Sequence, residues 1–150
     1  MPWFVFDGDR LIRDKCISVD PPQNASAVRL PVVTFPSRNA PLGMTFVPTD
    51  SAHQEIAGDA IVALHGSWAT QPSGGGSGNR STRRPPKLSI VRFQDNSAFR
   101  VEDFVTGFQL PNGARWARPA GVAVGPKGGI YFTSDAGIEG LFRLRFKQDF

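Results

Sequence analysis

The segment Pro41-Leu-Gly-Met-Thr-Phe-Val-Pro48 recurs further along the chain as Pro119-Ala-Gly-Val-Ala-Val-Gly-Pro126. Both copies contain a proline, a glycine two residues later, a short apolar run and a closing proline. Short apolar runs bounded by proline and glycine are typical of β-strands. A repeat of this kind within one chain indicates two copies of the same structural unit.

Two further strand patterns follow each copy. After the first copy they cover residues 61–64 and 88–93, and after the second they cover residues 130–133 and 141–146. A fourth pattern, at residues 101–105, completes the first set only. Repeated strand sets of this size predict an all-β fold, a partial β-propeller made of about the last two blades, with a small β-sandwich as the alternative.

The pattern divides the chain into three segments. Residues 1–40 are expected to form an irregular lead-in with one strand at 28–35. Residues 41–106 form a four-stranded blade, interrupted at 69–78 by a Gly/Ser-rich insertion, and residues 107–150 form a three-stranded incomplete terminal blade. A propeller needs four to eight blades to close, so we expect the chain to be a piece of a longer protein, unless it is a truncated frame that does not fold.

The composition of the chain restricts the classes of function that can be expected. Hydrophobic residues make up 40% of the chain, which supplies a core, and the formal net charge is +4. Basic residues are scattered except at Arg80, Arg83 and Arg84, without a recognition helix, so no nucleic-acid partner is expected. One cysteine, Cys16, excludes an internal disulfide. No apolar run approaches the length of a membrane span.

Four stretches together carry a family resemblance: residues 40–44, 58–68, 118–131 and 134–137. They resemble the soluble PQQ-dependent sugar dehydrogenases of the glucose/sorbosone and pyranose dehydrogenase type. In that family His-Gly-Ser-Trp continues directly into Asn-Arg-Ser, whereas here ten residues separate Trp68 from Asn79. Residues 3–10 resemble a further family segment in which a cysteine often stands near Val5, so Cys16 is expected to have lost a disulfide partner.

The resemblance implies a six-bladed quinoprotein propeller with PQQ across its top and a possible Ca²⁺. This chain would be the C-terminal part of an oxidoreductase that oxidises an aldose or sorbosone by hydride transfer to PQQ. Neither His53 nor His65 lies in the motif that supplies the catalytic base, so no catalytic residue is assigned and the chain alone is expected to be inactive. The alternative is a non-catalytic propeller module for binding or self-assembly.

Partners and location follow from the same resemblance. A carbohydrate substrate is expected, together with further blades upstream or self-association through open blade edges. The location would be periplasmic or secreted, although no signal peptide is visible in this chain.

Four residues are candidates for binding PQQ, a planar tricarboxylate that requires cations, donors and a flat surface. Arg118 matches a cofactor-contacting arginine at the entrance of an inner strand; the alternative is a surface arginine before a proline. His65 would bind a PQQ carboxylate or orient substrate, or would be a structural histidine in a turn. Trp68 would stack on cofactor or sugar, or fill a gap between blades. Arg80 belongs to the Asn-Arg pair that the insertion displaces.

Other polar residues have simpler explanations. Ser134 and Asp135 end a strand and are expected to cap a turn. Asp7 and Asp9 have too few companions for a calcium loop, so no metal-ligating residue is assigned. Lys87 is expected to be a solvated charge on a strand edge.

Overall fold

A computed structural model describes residues 3–7, 10–71 and 75–146 of the chain. The chain divides into two compact units, residues 1–32 and 33–150, which are described separately below. The segment boundaries expected at residues 40 and 106 stay predictions.

The first unit contains a β-hairpin that the sequence did not predict. Strand β1 (Phe4–Asp7) pairs antiparallel with β2 (Arg10–Arg13), and a short 3₁₀ turn follows at Ala25–Ala27. Gly8 and Asp9, two of the three residues of the Asp-Gly-Asp segment, lie outside the described residues.

The strand expected at residues 28–35 was wrong, since no strand forms there. Pro31 interrupts this segment and has no N–H to donate to a ladder. Its last residues, Val33 and Phe35, belong to the second unit and pack through their side chains on the outer face of a sheet. A segment that packs in this way has an apolar sequence like that of a strand, although its backbone pairs with no other strand.

The described residues of the second unit form two antiparallel sheets whose strand order follows the sequence. The four-stranded sheet contains β3 (Pro41–Phe46), β4 (Ala60–Leu64), β5 (Lys87–Gln94) and β6 (Ser97–Val105), and the three-stranded sheet contains β7 (Ala117–Val124), β8 (Ile130–Gly137) and β9 (Gly140–Arg143). The all-β class is therefore confirmed, and the described residues show neither an α-helix nor a closed barrel or propeller.

The two sheets share one hydrophobic core. Ile61 of β4 and Ile90 of β5 are buried in the same cluster as Ile130 and Phe132 of β8 and the connecting Phe108. Each fully buried side chain of this size contributes about 1.5–3 kcal/mol relative to an exposed one. The core therefore holds the two sheets together as one body.

Strand β4 is buried along its whole length because both of its faces are covered. Ile61 and Ala63 face the shared core, whereas Ala60, Val62 and Leu64 form a second cluster on the opposite face. A strand covered on both faces has a continuous apolar sequence, and the run at 60–64 has that pattern.

The first strands of the two sheets approach each other at the two repeated glycines. A Cβ atom built on Gly43 would lie 2.7 Å from both the carbonyl oxygen of Ala120 and the Cα of Gly121. Each strand is also irregular at this point, because the ladder register shifts between Pro41 and Met44 and between Pro119 and Val122. Glycine within a strand often marks such a bulge or a close backbone approach.

Gly43→Ala is expected to lower the free energy of unfolding by about 1–3 kcal/mol, because the added methyl group meets backbone atoms that cannot rotate away. Chemical denaturation measures the change. Gly75→Ala is the control, since the nearest heavy atom to its added Cβ lies 4.0 Å away; its effect should stay within about 0.5 kcal/mol. Equal effects of the two variants would contradict the close approach of β3 and β7.

Candidate anion-binding site

The candidate site lies where β4 and β8 end and β7 begins. His65 directly follows β4, Arg118 is the second residue of β7, and Asp135 lies near the end of β8. The backbone N–H groups of His65 and Gly66 donate to the carbonyls of Ala40 and Asn39, which fixes the turn after β4. The site therefore takes residues from both sheets.

His65 bridges Arg118 and Asp135. Nη2 of Arg118 lies 2.8 Å from Nδ1 of His65, and Nε2 of His65 lies 2.6 Å from Oδ1 of Asp135. A guanidinium group can only donate, so Nδ1 is assigned as the acceptor and the ring proton to Nε2, which donates to the carboxylate. A neutral imidazole thus satisfies both neighbours at once.

Two further hydrogen bonds hold the backbone and the side chain of Arg118 in place. Its N–H donates to Oγ of Ser134 at 2.9 Å, and its Nε donates to the carbonyl of His65 at 3.3 Å. Ser134 is buried and donates onward to the carbonyl of Ala136. These bonds fix both the strand entrance and the direction of the guanidinium.

A second arginine, Arg115, is anchored beside the first. Its Nη2 donates to the carbonyls of Ser67 at 2.6 Å and Arg84 at 3.0 Å, and its Nε donates to Oε1 of Gln109 at 2.8 Å. Burial, with a smaller contribution from the positive charges of Arg118 and Arg83, lowers the pKa of Arg115 to about 10. Arg115 therefore remains charged at neutral pH, at an energetic cost.

Arg83 is the third cation of this cluster. Its positive charge disfavours the charged forms of Arg115 and Arg118. Burial and Arg83 lower the pKa of Arg118, whereas Asp135 raises it. The Nε of Arg83 is buried and has no hydrogen-bond partner among the described residues. Three arginines thus share a partly buried region with an excess of positive charge, and the carboxylate of Asp135 acts on Arg118.

The structure brings His65 and Arg118 together by a hydrogen bond, whereas the other two predicted residues form no hydrogen bond with either of them among the described residues. Trp68 is 65% exposed, and Gly76 lies against its ring. Arg80 begins the 3₁₀ turn Arg80–Thr82, and among the described residues it makes no hydrogen bond or ion pair with Arg118 or His65. Residues 72–74 of the predicted insertion lie outside the described part of the chain.

Sequence reasoning missed three members of the site. Asp135 was expected only to cap a turn, Arg83 was noted only as part of a basic group with Arg80 and Arg84, and Arg115 was not singled out. The available signal was the pair of arginines before the second repeat, Arg115-Trp-Ala-Arg118. That spacing alone does not show convergence, because successive side chains along an extended chain alternate in direction.

Within the described residues, no group of three or more His, Cys, Asp or Glu side chains is arranged to hold a metal ion. The possible Ca²⁺ stays a prediction. In the same part of the chain, no helix is both long enough and apolar enough to cross a membrane.

A protein-family model described as TrAA12-like matches residues 19–142. The chain belongs to the TrAA12-like family. No curated protein and no solved structure shows significant similarity to this TrAA12-like chain.

The TrAA12-like match corrects the family predicted from the sequence. The matched family is described differently from the soluble PQQ-dependent sugar dehydrogenases, so that assignment was wrong. The function that this assignment implied, a quinoprotein fragment oxidising an aldose or sorbosone, was therefore also wrong. The resemblance rested on short turn motifs such as residues 65–68, and a short motif is weak evidence without its structural context.

Asp135→Asn is expected to make the stability of the TrAA12-like chain less dependent on pH. The hydrogen bond from His65 holds the pKa of Asp135 below its ordinary value of 3.8. A carboxyl group with a lowered pKa stabilises the folded state above its ordinary pKa, and this contribution is lost as the pH falls through the folded-state pKa. The side chain is 56% exposed, so the contribution is below about 1 kcal/mol.

Thermal unfolding between pH 7 and pH 2.5 measures this effect. The difference between the wild type and Asp135→Asn should shrink as the pH falls below 3.8. The control is Asp50→Asn, at an exposed aspartate that makes no ion pair with a described residue. A difference for Asp135→Asn that stays constant with pH would contradict the bond to His65.

Proposed function

We propose that this TrAA12-like chain binds a small ligand with two or more carboxylates at the arginine cluster. The observation that carries the proposal is the grouping of Arg83, Arg115 and Arg118 in one partly buried region. The carboxylate of Asp135 is joined to Arg118 through His65. Guanidinium groups present a planar fork of donors that matches a carboxylate in bidentate geometry. An incoming anion would offset the mutual repulsion of the three cations.

Two of the arginines are already oriented before any ligand arrives. His65 holds Arg118, and backbone carbonyls hold Arg115. Long side chains that are fixed in advance lose little rotamer entropy on binding, which favours affinity. Asp135 occupies the far side of His65 and would repel an anion, so the ligand is proposed to approach Arg118 from the side of Arg115 and Arg83.

PQQ, the cofactor expected from the sequence, is one member of this ligand class and stays a proposal. Its three carboxylates suit the cluster, and the exposed indole of Trp68 offers a flat surface for stacking. Arg80 stays a weaker candidate. The expected carbohydrate partner, the additional blades or self-association, and the periplasmic or secreted location also stay predictions.

We also propose that the two sheets of the second unit are neighbouring blades of a β-propeller. Three features support this: strand order that follows the sequence, a core shared between the sheets, and first strands that touch at Gly43 and Gly121. The first strands of propeller blades surround a central channel. Arg118, near the start of β7, would then stand at one end of that channel.

Isothermal titration at low salt with PQQ and with benzene-1,3,5-tricarboxylate tests the binding proposal. Arg118→Gln and Arg115→Gln are each expected to weaken binding about tenfold or more, because each removes a charge-assisted hydrogen bond worth about 1.5–3 kcal/mol. Arg100→Gln is the matched control, since Arg100 is exposed and pairs with Glu102 on β6. Its affinity should equal that of the wild type.

Comparing the two ligands distinguishes a general carboxylate-binding site from a site that is specific for PQQ. Binding of both, with losses only in the cluster variants, supports a carboxylate site; binding of PQQ alone supports the quinone cofactor. Binding of neither ligand, or equal binding by Arg118→Gln and the wild type, would overturn the proposal.

A further inference from the structure

A second basic cleft lies at the opposite end of the sheets from the arginine cluster. It has a volume of about 580 Å³, and four basic side chains line it: His53, Lys127, Arg143 and Arg145. Within the described residues, Lys127, Arg143 and Arg145 form no ion pair. By contrast, Lys87, Arg92 and Arg100 of the four-stranded sheet are all paired with carboxylates, so Lys87 is not the solvated charge that the sequence suggested.

Tight local structure positions these cations. Lys127 lies in the turn between β7 and β8, which is closed by hydrogen bonds from Gly125 N to Gly129 O at 2.8 Å and from Gly128 N to Gly125 O at 2.9 Å. Arg143 is the last residue of β9, and its guanidinium lies 5.9 Å from the ring centre of Tyr131. The turn and the strand end are thus rigid supports.

The remaining wall of the cleft is aromatic. The ring of His53, in the connection between β3 and β4, lies 4.2 Å from the ring of Phe146. His53 is also 3.8 Å from the carboxylate of Glu55, and Asp50 lines an adjoining cavity of about 460 Å³ together with Lys127. These two carboxylates reduce the positive charge of the region but do not pair with Lys127, Arg143 or Arg145.

We propose that this cleft binds the phosphate or sulfate group of a small molecule. Cations from two separate segments can approach a tetrahedral oxyanion from different directions, and lysine and arginine are the usual partners of such groups. Phe146 and His53 would pack against the ring or chain that carries the oxyanion. This site is separate from the carboxylate site, because roughly 20 Å of strand lies between Arg118 and Val124, where the turn begins.

Titrations with phenyl phosphate and phenyl sulfate, followed by amide NMR shifts at low salt, test this proposal. Saturable shifts are expected at residues 125, 127–129 and 143–146. Arg143→Gln should weaken binding about five- to tenfold. Arg100→Gln is a close control, because its guanidinium likewise lies over an aromatic ring, 5.7 Å from the centre of Phe99, but away from the cleft.

The outcomes are distinct from those at the arginine cluster. Arg118→Gln should leave the affinity for phenyl phosphate or phenyl sulfate unchanged, whatever it does to carboxylate binding. Saturable binding of either ester that is weakened in Arg143→Gln supports the cleft, and the ester that binds more tightly identifies the oxyanion. Shifts confined to residues near His65 and Arg118, equal losses in Arg100→Gln and Arg143→Gln, or no saturable shift would overturn it.

Discussion

The first strands of the two sheets, β3 and β7, touch where neither has a side chain, at Gly43 and Gly121. This contact brings the end of β4 close to the start of β7, because β4 pairs with β3. His65 and Arg118 stand at those two positions and meet at 2.8 Å. Protein interiors are closely packed and tolerate little change in volume. A displacement of β3 relative to β7 at the two glycines would therefore also move His65 relative to Arg118.

The arginine cluster is positioned by hydrogen bonds but not neutralised by them. Carbonyl groups and a neutral imidazole accept from Arg115 and Arg118 without supplying negative charge. Asp135 supplies one such charge, and His65 stands between it and Arg118. The lowered pKa of Arg115, about 10, reflects the cost of holding positive charge there. Perturbed groups of this kind are found more often at binding sites than elsewhere on a protein.

The sequence predicted the all-β class and most strands of the second unit, because proline and glycine punctuate its apolar runs. It failed where tertiary contacts decide the structure: Val33 and Phe35 pack on a sheet without joining it, and β1 has no strong periodic pattern. Arg118 and His65 were named from motifs, but their contact depends on packing between sheets that no local spacing encodes. The family resemblance failed for a related reason, since short strand-and-turn motifs are weak evidence of family when taken alone.

The most direct test of this account is a crystal structure of the chain with benzene-1,3,5-tricarboxylate bound. The account predicts one ligand carboxylate within hydrogen-bond distance of both Arg115 and Arg118, with His65 still bridging Arg118 and Asp135. A ligand bound elsewhere would contradict it. A structure in which Arg118 turns away from His65 and pairs directly with Asp135 would also contradict it, because Asp135 would then neutralise the positive charge that is proposed to bind the ligand.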